Sequence, residues 1–143
     1  MIWWLRLKER LRPTGPIHLR HGKIGERAAR KHLQKLGLKF LTANYVSKRR
    51  DGEIDLVFRD DDCLVFVEVK TRSSEVWTRP ASAVNEDKKR LLSLMALDYL
   101  RLLKRPQVKF RFDIVEVLLE NGAVSEIRHL RNSFPLQQPF RYG

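Results

Sequence analysis

Asp55, Glu68 and Lys70 interrupt two otherwise apolar runs, residues 52–58 and 64–72, that read as strands joined by a tight turn. A carboxylate within a strand core costs several kcal/mol unless something compensates it. Side chains alternate along a strand, so Glu53, Asp55 and Val57 share one face of the first, and Leu64, Phe66, Glu68 and Lys70 one face of the second. A turn centred between Asp61 and Asp62 sets Asp55 opposite Glu68 and Glu53 opposite Lys70, with Cβ atoms about 5 Å apart. Two carboxylates so placed repel each other, and a divalent cation between them converts the repulsion into binding. Hard oxygen ligands of this kind suit Mg²⁺, with Mn²⁺ as its substitute. Lys70 on the same face can manage a metal-activated water or offset charge building on a phosphate, which is the chemistry of phosphodiester hydrolysis. Spacing alone leaves a second reading open: a half-exposed hairpin with a Glu53–Lys70 ion pair and two unrelated acids. Ile54, Leu56, Phe58, Val65, Val67 and Val69 already supply one apolar side. What decides between the readings is whether the Asp55–Glu68 side is covered too, and Leu64 and Phe66 point to partial burial.

The elements that must position these residues follow from pattern and punctuation. Residues 13–16 (Pro-Thr-Gly-Pro) form a break, and residues 23–36 carry a broken apolar helical face stopped by Gly37. A short strand begins at Phe40, and Lys48, Arg49 and Arg50 form a basic loop ahead of the hairpin, predicted at 53–59 and 64–70. Asp60, Asp61 and Asp62 make a solvated turn, because they lack the alternate-ligand spacing and downstream glutamate of a calcium loop. Residues 72–84, including Trp77 and Pro80, read as irregular. A second helix spans 85–103, capped by Asn85 with Glu86 and Asp87 on its dipole. Strands at 110–119 and 124–130 flank Asn121-Gly122, a type I′ hairpin signal. The expected organisation is an N-terminal extension (1–20), an α/β domain (21–131) with a central mixed sheet flanked by helices, and a loop-like tail (132–143).

A chain of 143 residues suits one domain with a genuine core. The single cysteine, Cys63, excludes an internal disulfide and any zinc site built from several cysteines, and fits a reducing cytoplasm. The net charge of +12 is uneven: residues 1–50 hold 14 Lys and Arg against only Glu9 and Glu26, so the remainder is neutral. Such asymmetry points to a polyanion, most often nucleic acid, with solubility alone as the plainer account. The Trp3–Trp4 segment is too short for a membrane span, and Trp4, Leu7 and Leu11 at helical spacing would form a short amphipathic helix able to dock on a surface or partner. Arg27, Arg30, Lys31 and Lys35 on the first helix, the basic loop and Arg72 would surround the acidic hairpin with phosphate contacts. With no base-reading helix in view, recognition of backbone or shape is expected. His18, His21, His32 and His129 show no metal-ligand spacing, Trp77 reads as core filling before base stacking, and Asp113 beside Arg111 reads as structural.

The pattern Gly52-Glu53-Ile54-Asp55 followed by Val67-Glu68-Val69-Lys70 resembles the PD-(D/E)xK nuclease superfamily, and most closely the small bacterial YraN family and its archaeal Holliday-junction resolvase relatives. Gly22, Gly25, Glu26, Ala29 and Leu33 upstream, and Lys88, Tyr99 and Arg111-Phe112-Asp113 downstream, extend the likeness over about residues 21–131. The resemblance implies a restriction-endonuclease-like core and a metal-dependent DNA endonuclease acting on branched or otherwise structured DNA. It also implies Asp55 and Glu68 as metal ligands, Lys70 as catalytic lysine, and Glu26 approaching the metal from the first helix. The plainer account of Glu26 is a helix acid favoured by the dipole. Glu53 stands without the superfamily's proline before Asp55, and it and Lys88 would support the site. Related resolvases act as dimers, which implies a homodimer here. The alternative is a non-catalytic nucleic-acid-binding protein on the same fold.

Overall fold

A computed structural model describes residues 17–73 and 84–143. The Trp3–Trp4 segment, the break at 13–16 and the stretch holding Trp77 and Pro80 lie outside the described residues.

Helix α1 (Ile17–Lys35) starts earlier than the apolar periodicity indicates and stops where Gly37 predicts. Gly37 adopts φ +95, and the Leu38 and Gly37 amides donate to the Leu33 and Gln34 carbonyls. This double bond closes the last turn and folds Leu38 back onto the core. Strands β1 (Lys39–Tyr45), β2 (Ile54–Asp60) and β3 (Cys63–Ser73) follow, then α2 (Glu86–Leu102), β4 (Lys109–Glu120) and β5 (Ala123–Phe134). Asn85 caps α2 as expected, its side chain accepting from the Lys88 amide at 2.9 Å. The Asn121-Gly122 turn has positive φ at both residues, as a type I′ hairpin requires. β5 runs past Leu130, where the sequence reads as loop, to Phe134, because Phe134 stacks on Phe112 with centroids 4.7 Å apart.

The five strands lie in sequence order, antiparallel throughout except for β3 and β4, which are parallel and connected across α2. This is the mixed α/β architecture expected, consistent with a restriction-endonuclease-like core. Ala29 and Leu33 of α1 pack with Leu56, Phe58, Val65, Val67 and Val115 on one face. Leu92, Met95, Ala96 and Tyr99 of α2 pack with Val57, Phe66, Phe112 and Ile114 on the other. Both faces of the central strands are therefore covered. The half-exposed hairpin does not occur: Asp55 is 9% and Glu68 5% exposed. Gly52 takes φ +121 ahead of β2, a backbone conformation that L side chains rarely adopt.

Asp113 is structural, as read from the sequence. It is wholly buried, and its carboxylate accepts from Arg111 Nε at 3.0 Å and the Asn132 amide at 2.9 Å, with His129 Nε2 2.7 Å away. Burial would raise its pKa, but His129, Arg111 and the amide outweigh it and hold it below the usual carboxylate range. Arg111 also reaches Asp60 at 2.9 Å, tying β4 to the turn between β2 and β3. Asp113→Ala is expected to cost about 1–3 kcal/mol in chemical denaturation, because it leaves the buried Arg111 Nε and the Asn132 amide without their acceptor while Asp60 still holds the other side of the guanidinium. A depressed carboxylate stabilises above its unfolded pKa, so the gap between wild type and variant should close as pH falls below about 4. A gap that stays constant down to pH 2 would reject this account.

Candidate metal centre

The turn between β2 and β3 is centred as the charge pattern predicts: Asp60 pairs with Cys63, Asp61 takes φ 55, and the register runs to Leu56 opposite Val67. The paired register ends there, and the Asp55 side chain takes over as acceptor. Its Oδ2 receives the Val69 amide at 2.8 Å, which fixes the carboxylate against β3. The expected Glu53–Lys70 pair is not formed. Glu53 precedes β2 and lies 3.4 Å from Asn44 Nδ2, whereas Lys70 Nζ lies 3.6 Å from Glu68 Oε1. Glu53 is outside the paired strand, so the alternation rule that set it opposite Lys70 no longer applies.

Glu26 arrives from α1, and Gly25 makes its approach possible. A Cβ at Gly25 would sit 1.9 Å from Thr71 Oγ1, so only glycine lets the helix backbone lie against β3 at this point. The Asn44 amide, on a residue at φ 53, also reaches Glu26 Oε2 at 3.2 Å. Glu26, Glu53 and Asp55 each offer an oxygen within 4.8 Å of the others. Glu68 adds a fourth carboxylate with two environments. Its Oε1 is 3.6 Å from both Lys70 and Lys88, while its Oε2 is buried without a hydrogen-bond partner. Lys88 owes its position to the Asn85 cap, which starts α2 over the site.

Concentrated acids under cover resist ionisation. Burial, then repulsion from Glu68, with Glu26 and Glu53 contributing, pushes Asp55 up to about 8 despite the Val69 hydrogen bond. Burial, then Glu53 and Glu68, pushes Glu26 up to about 7. A divalent cation would reverse both shifts and satisfy the orphaned Glu68 oxygen. The donor set is hard carboxylate oxygen, which fits Mg²⁺ or Mn²⁺. A cleft of about 690 Å³ opens beside these groups, lined by Glu26, Asp55, Glu68 and Arg72, with His21 and Gly22 of α1 and Asn121-Gly122 across from them.

The basic residues named from the sequence divide. Arg27 and Lys31 are exposed, one turn apart on α1. Arg30 is exposed but stacks over the Phe40 ring at 3.5 Å. Lys48 and Arg49 are exposed on the loop, while Arg50 is drawn to the buried Asp98 at 3.1 Å and serves as the loop's anchor. Several residues escaped sequence reading. Asp98 also accepts from Ser47 at 2.7 Å and so holds the loop to α2. His21 borders the cleft. Glu116 of β4, 2% exposed, sits beside Lys70 in the register with an unpartnered Oε1. Burial, against Arg128 and Arg72, raises its pKa. Of these, only an acid inside an apolar strand, as at Glu116, carried a signal.

Fold and site together define a three-layer α/β protein with a carboxylate and lysine centre where the pairing of β2 with β3 ends. Its relatives share this stretch of chain. A profile of the family described as "Uncharacterised protein family UPF0102" matches residues 25–117, from Gly25 through the hairpin to β4, and the chain belongs to that family. A "UPF0102 protein" of Rhodococcus opacus (strain B4) is 38% identical over 113 residues, 79% of this chain and 94% of the relative. One of Solibacter usitatus (strain Ellin6076) is 41% identical over 129 residues, covering 90% and 92%. One of Syntrophomonas wolfei is 42% identical over 113 residues, covering 79% and 96%. No helix among the described residues is long and apolar enough to cross a membrane.

Proposed function

We propose that this chain is a divalent-metal-dependent DNA endonuclease of the PD-(D/E)xK kind, of the YraN type, selective for branched or otherwise structured DNA and acting in the cytoplasm. The observation that carries the reading is the convergence of Glu26, Glu53 and Asp55 within 4.8 Å beside a Glu68 oxygen that is buried and unpartnered. In this reading Asp55 and Glu68 hold the cation, with Glu26 reaching it from α1. A bound Mg²⁺ or Mn²⁺ supplies charge neutralisation at the phosphoryl oxygens and acidifies water. Lys70 leaves Glu68 to orient the attacking water and to balance charge on the phosphate. Lys88, on the other side of Glu68, steadies that carboxylate or meets a neighbouring phosphate. Arg72 at the cleft, with Arg27, Lys31, Lys48 and Arg49, would contact the backbone of the substrate. A homodimer would place two such centres for paired cuts.

The alternative, a nucleic-acid-binding protein without turnover, draws on one observation: Glu68 Oε1 is already occupied by two lysines at 3.6 Å. One experiment separates the two. Supercoiled, nicked and four-way-junction DNA are incubated with Mn²⁺ or Mg²⁺, alongside Lys70→Ala. Cleavage that falls by about 10²–10⁴-fold in the variant supports the nuclease. Tight DNA binding with no cleavage, and no Mn²⁺ heat in titration calorimetry, supports the alternative. Cleavage undiminished by Lys70→Ala would place the chemistry elsewhere.

A further inference from the structure

The sequence places all excess positive charge in residues 1–50, yet the fold builds a second basic surface from the neutral remainder. Residues 101–111 contain five Lys and Arg and no acid. Arg101, Arg105 and Lys109 from that stretch meet Arg141 of the C-terminal segment around a groove of about 710 Å³. Leu97, Pro106 and Tyr142 give it an apolar floor, and no Asp or Glu side chain lines it.

Three features show how the groove is made. Lys104 and Arg105 both adopt left-handed φ, 64 and 54, while their amides close the end of α2 on Arg101 and Leu100. Consecutive non-glycine residues in that region cost about 1–2 kcal/mol each, and here they turn Arg105 into the groove. The C-terminal segment forms the opposite wall: the Tyr142 hydroxyl bonds the Pro106 carbonyl, and its ring meets Phe110 edge-on at 5.6 Å. Arg101 in the last turn of α2 complements the helix dipole, but Arg105, Lys109 and Arg141 come from outside the helix. Among the described residues Arg105 and Arg141 have no acidic partner, whereas Arg101 has only Asp98 at 3.9 Å and Lys109 only the exposed Asp62 at 3.5 Å. The positive surface also extends along α2. Arg90, Leu97 and Arg101 share one helical face, and Arg90 lies 5.6 Å from the Phe140 ring.

We propose that this groove is a second contact for a nucleic-acid backbone, separate from the carboxylate cleft. Its identification with nucleic acid rests on the proposed function, but it requires neither metal nor cleavage. Lys88 at Glu68 and Arg101 in the groove are separated by about 20 Å of helix. At about 3.4 Å per base pair, that distance is about six base pairs of duplex. A strand at the acidic cleft thus meets the groove only if its duplex arm reaches that far.

The test uses the full chain in EDTA, so that binding is read without turnover. Arg105→Glu/Arg141→Glu changes two exposed side chains outside the carboxylate centre and is checked for an unchanged melting temperature. Affinity for a duplex of about 20 base pairs is expected to fall at least about tenfold, and the slope of log K against log salt to decrease by about two. A duplex of about five base pairs, too short to span both sites, should discriminate between the proteins much less. Unchanged affinity and slope for the long duplex would overturn the proposal while leaving the nuclease reading intact. So would unaltered DNA binding with loss of binding to phosphatidylglycerol vesicles, which would assign the groove to a membrane surface. A groove-dependent salt slope in a protein that never cleaves DNA would sink the nuclease reading and keep this one.

Discussion

Asp55→Asn is expected to raise the melting temperature of the metal-free protein at pH 8 by at least about 5 °C, and to lower the proposed cleavage on the order of a thousandfold. The first effect follows from linkage. Asp55 has its folded pKa pushed from 3.8 to about 8, so between those values the folded state binds a proton that the unfolded state has released. Stability therefore falls as pH rises through that window. Glu26 adds the same sign between 4.5 and about 7. Metal-free wild type should accordingly melt higher at pH 5 than at pH 8. Asparagine removes the ionisation and keeps an oxygen for the Val69 amide, which now lies 2.8 Å from Oδ2. The second effect follows from the role proposed for the carboxylate as a ligand. Mn²⁺ should stabilise wild type more at pH 8 than at pH 5, and the variant little at either. Thermal melts at both pH values, with and without Mn²⁺, check each part. A variant that melts below wild type at pH 8 without metal would show that Asp55 is held charged by something other than a cation.

Gly25→Ala is expected to destabilise the fold by about 1–3 kcal/mol through overpacking and to reduce activity by about a hundredfold through misplacement of Glu26. Helix propensity argues the other way, since alanine in place of glycine inside a helix gains about 1 kcal/mol. The contact decides the sign. The new Cβ would lie 1.9 Å from Thr71 Oγ1, with Thr71 Cβ and Cγ2 at 3.1 and 3.3 Å. Threonine is stiff at χ1, so α1 must lift from β3 and carry Glu26 with it. Gly22→Ala is the internal control: it lies in the same helix with nothing within 4 Å of its Cβ and should be neutral or stabilising. Thr71→Ala in the Gly25→Ala background removes the closest atom and should restore part of the stability. Denaturant titrations and Mn²⁺ calorimetry on the four proteins check this. A Gly25→Ala protein more stable than wild type, with unchanged Mn²⁺ affinity, would show that helix and strand do not touch there.

The elements were largely legible because local signals specify them. Asn85 caps α2, Gly37 ends α1, and Asn121-Gly122 turns β4 into β5, each through chemistry contained within a few residues. The hairpin that carries Asp55 and Glu68 was legible for the same reason: a two-residue turn sets the register, and the register sets the faces. Phe134 in β5 was not, since its reason for being a strand is a ring on β4 more than twenty residues away.

By itself, then, the sequence determined that two carboxylates and a lysine sit on one hairpin with a turn centred between Asp61 and Asp62, and that a basic N-terminal third accompanies them. Only the tertiary structure decided that helices cover both faces of that hairpin, that a glycine contact with Thr71 delivers Glu26, and that Glu53 turns to Asn44 and leaves Lys70 to Glu68. It also gathered Arg101, Arg105, Lys109 and Arg141 into one groove from segments whose charges cancel on paper. Alternation and turn chemistry act between neighbours in the chain. Burial, charge repulsion and close packing act between neighbours in space, and most of those are distant in sequence.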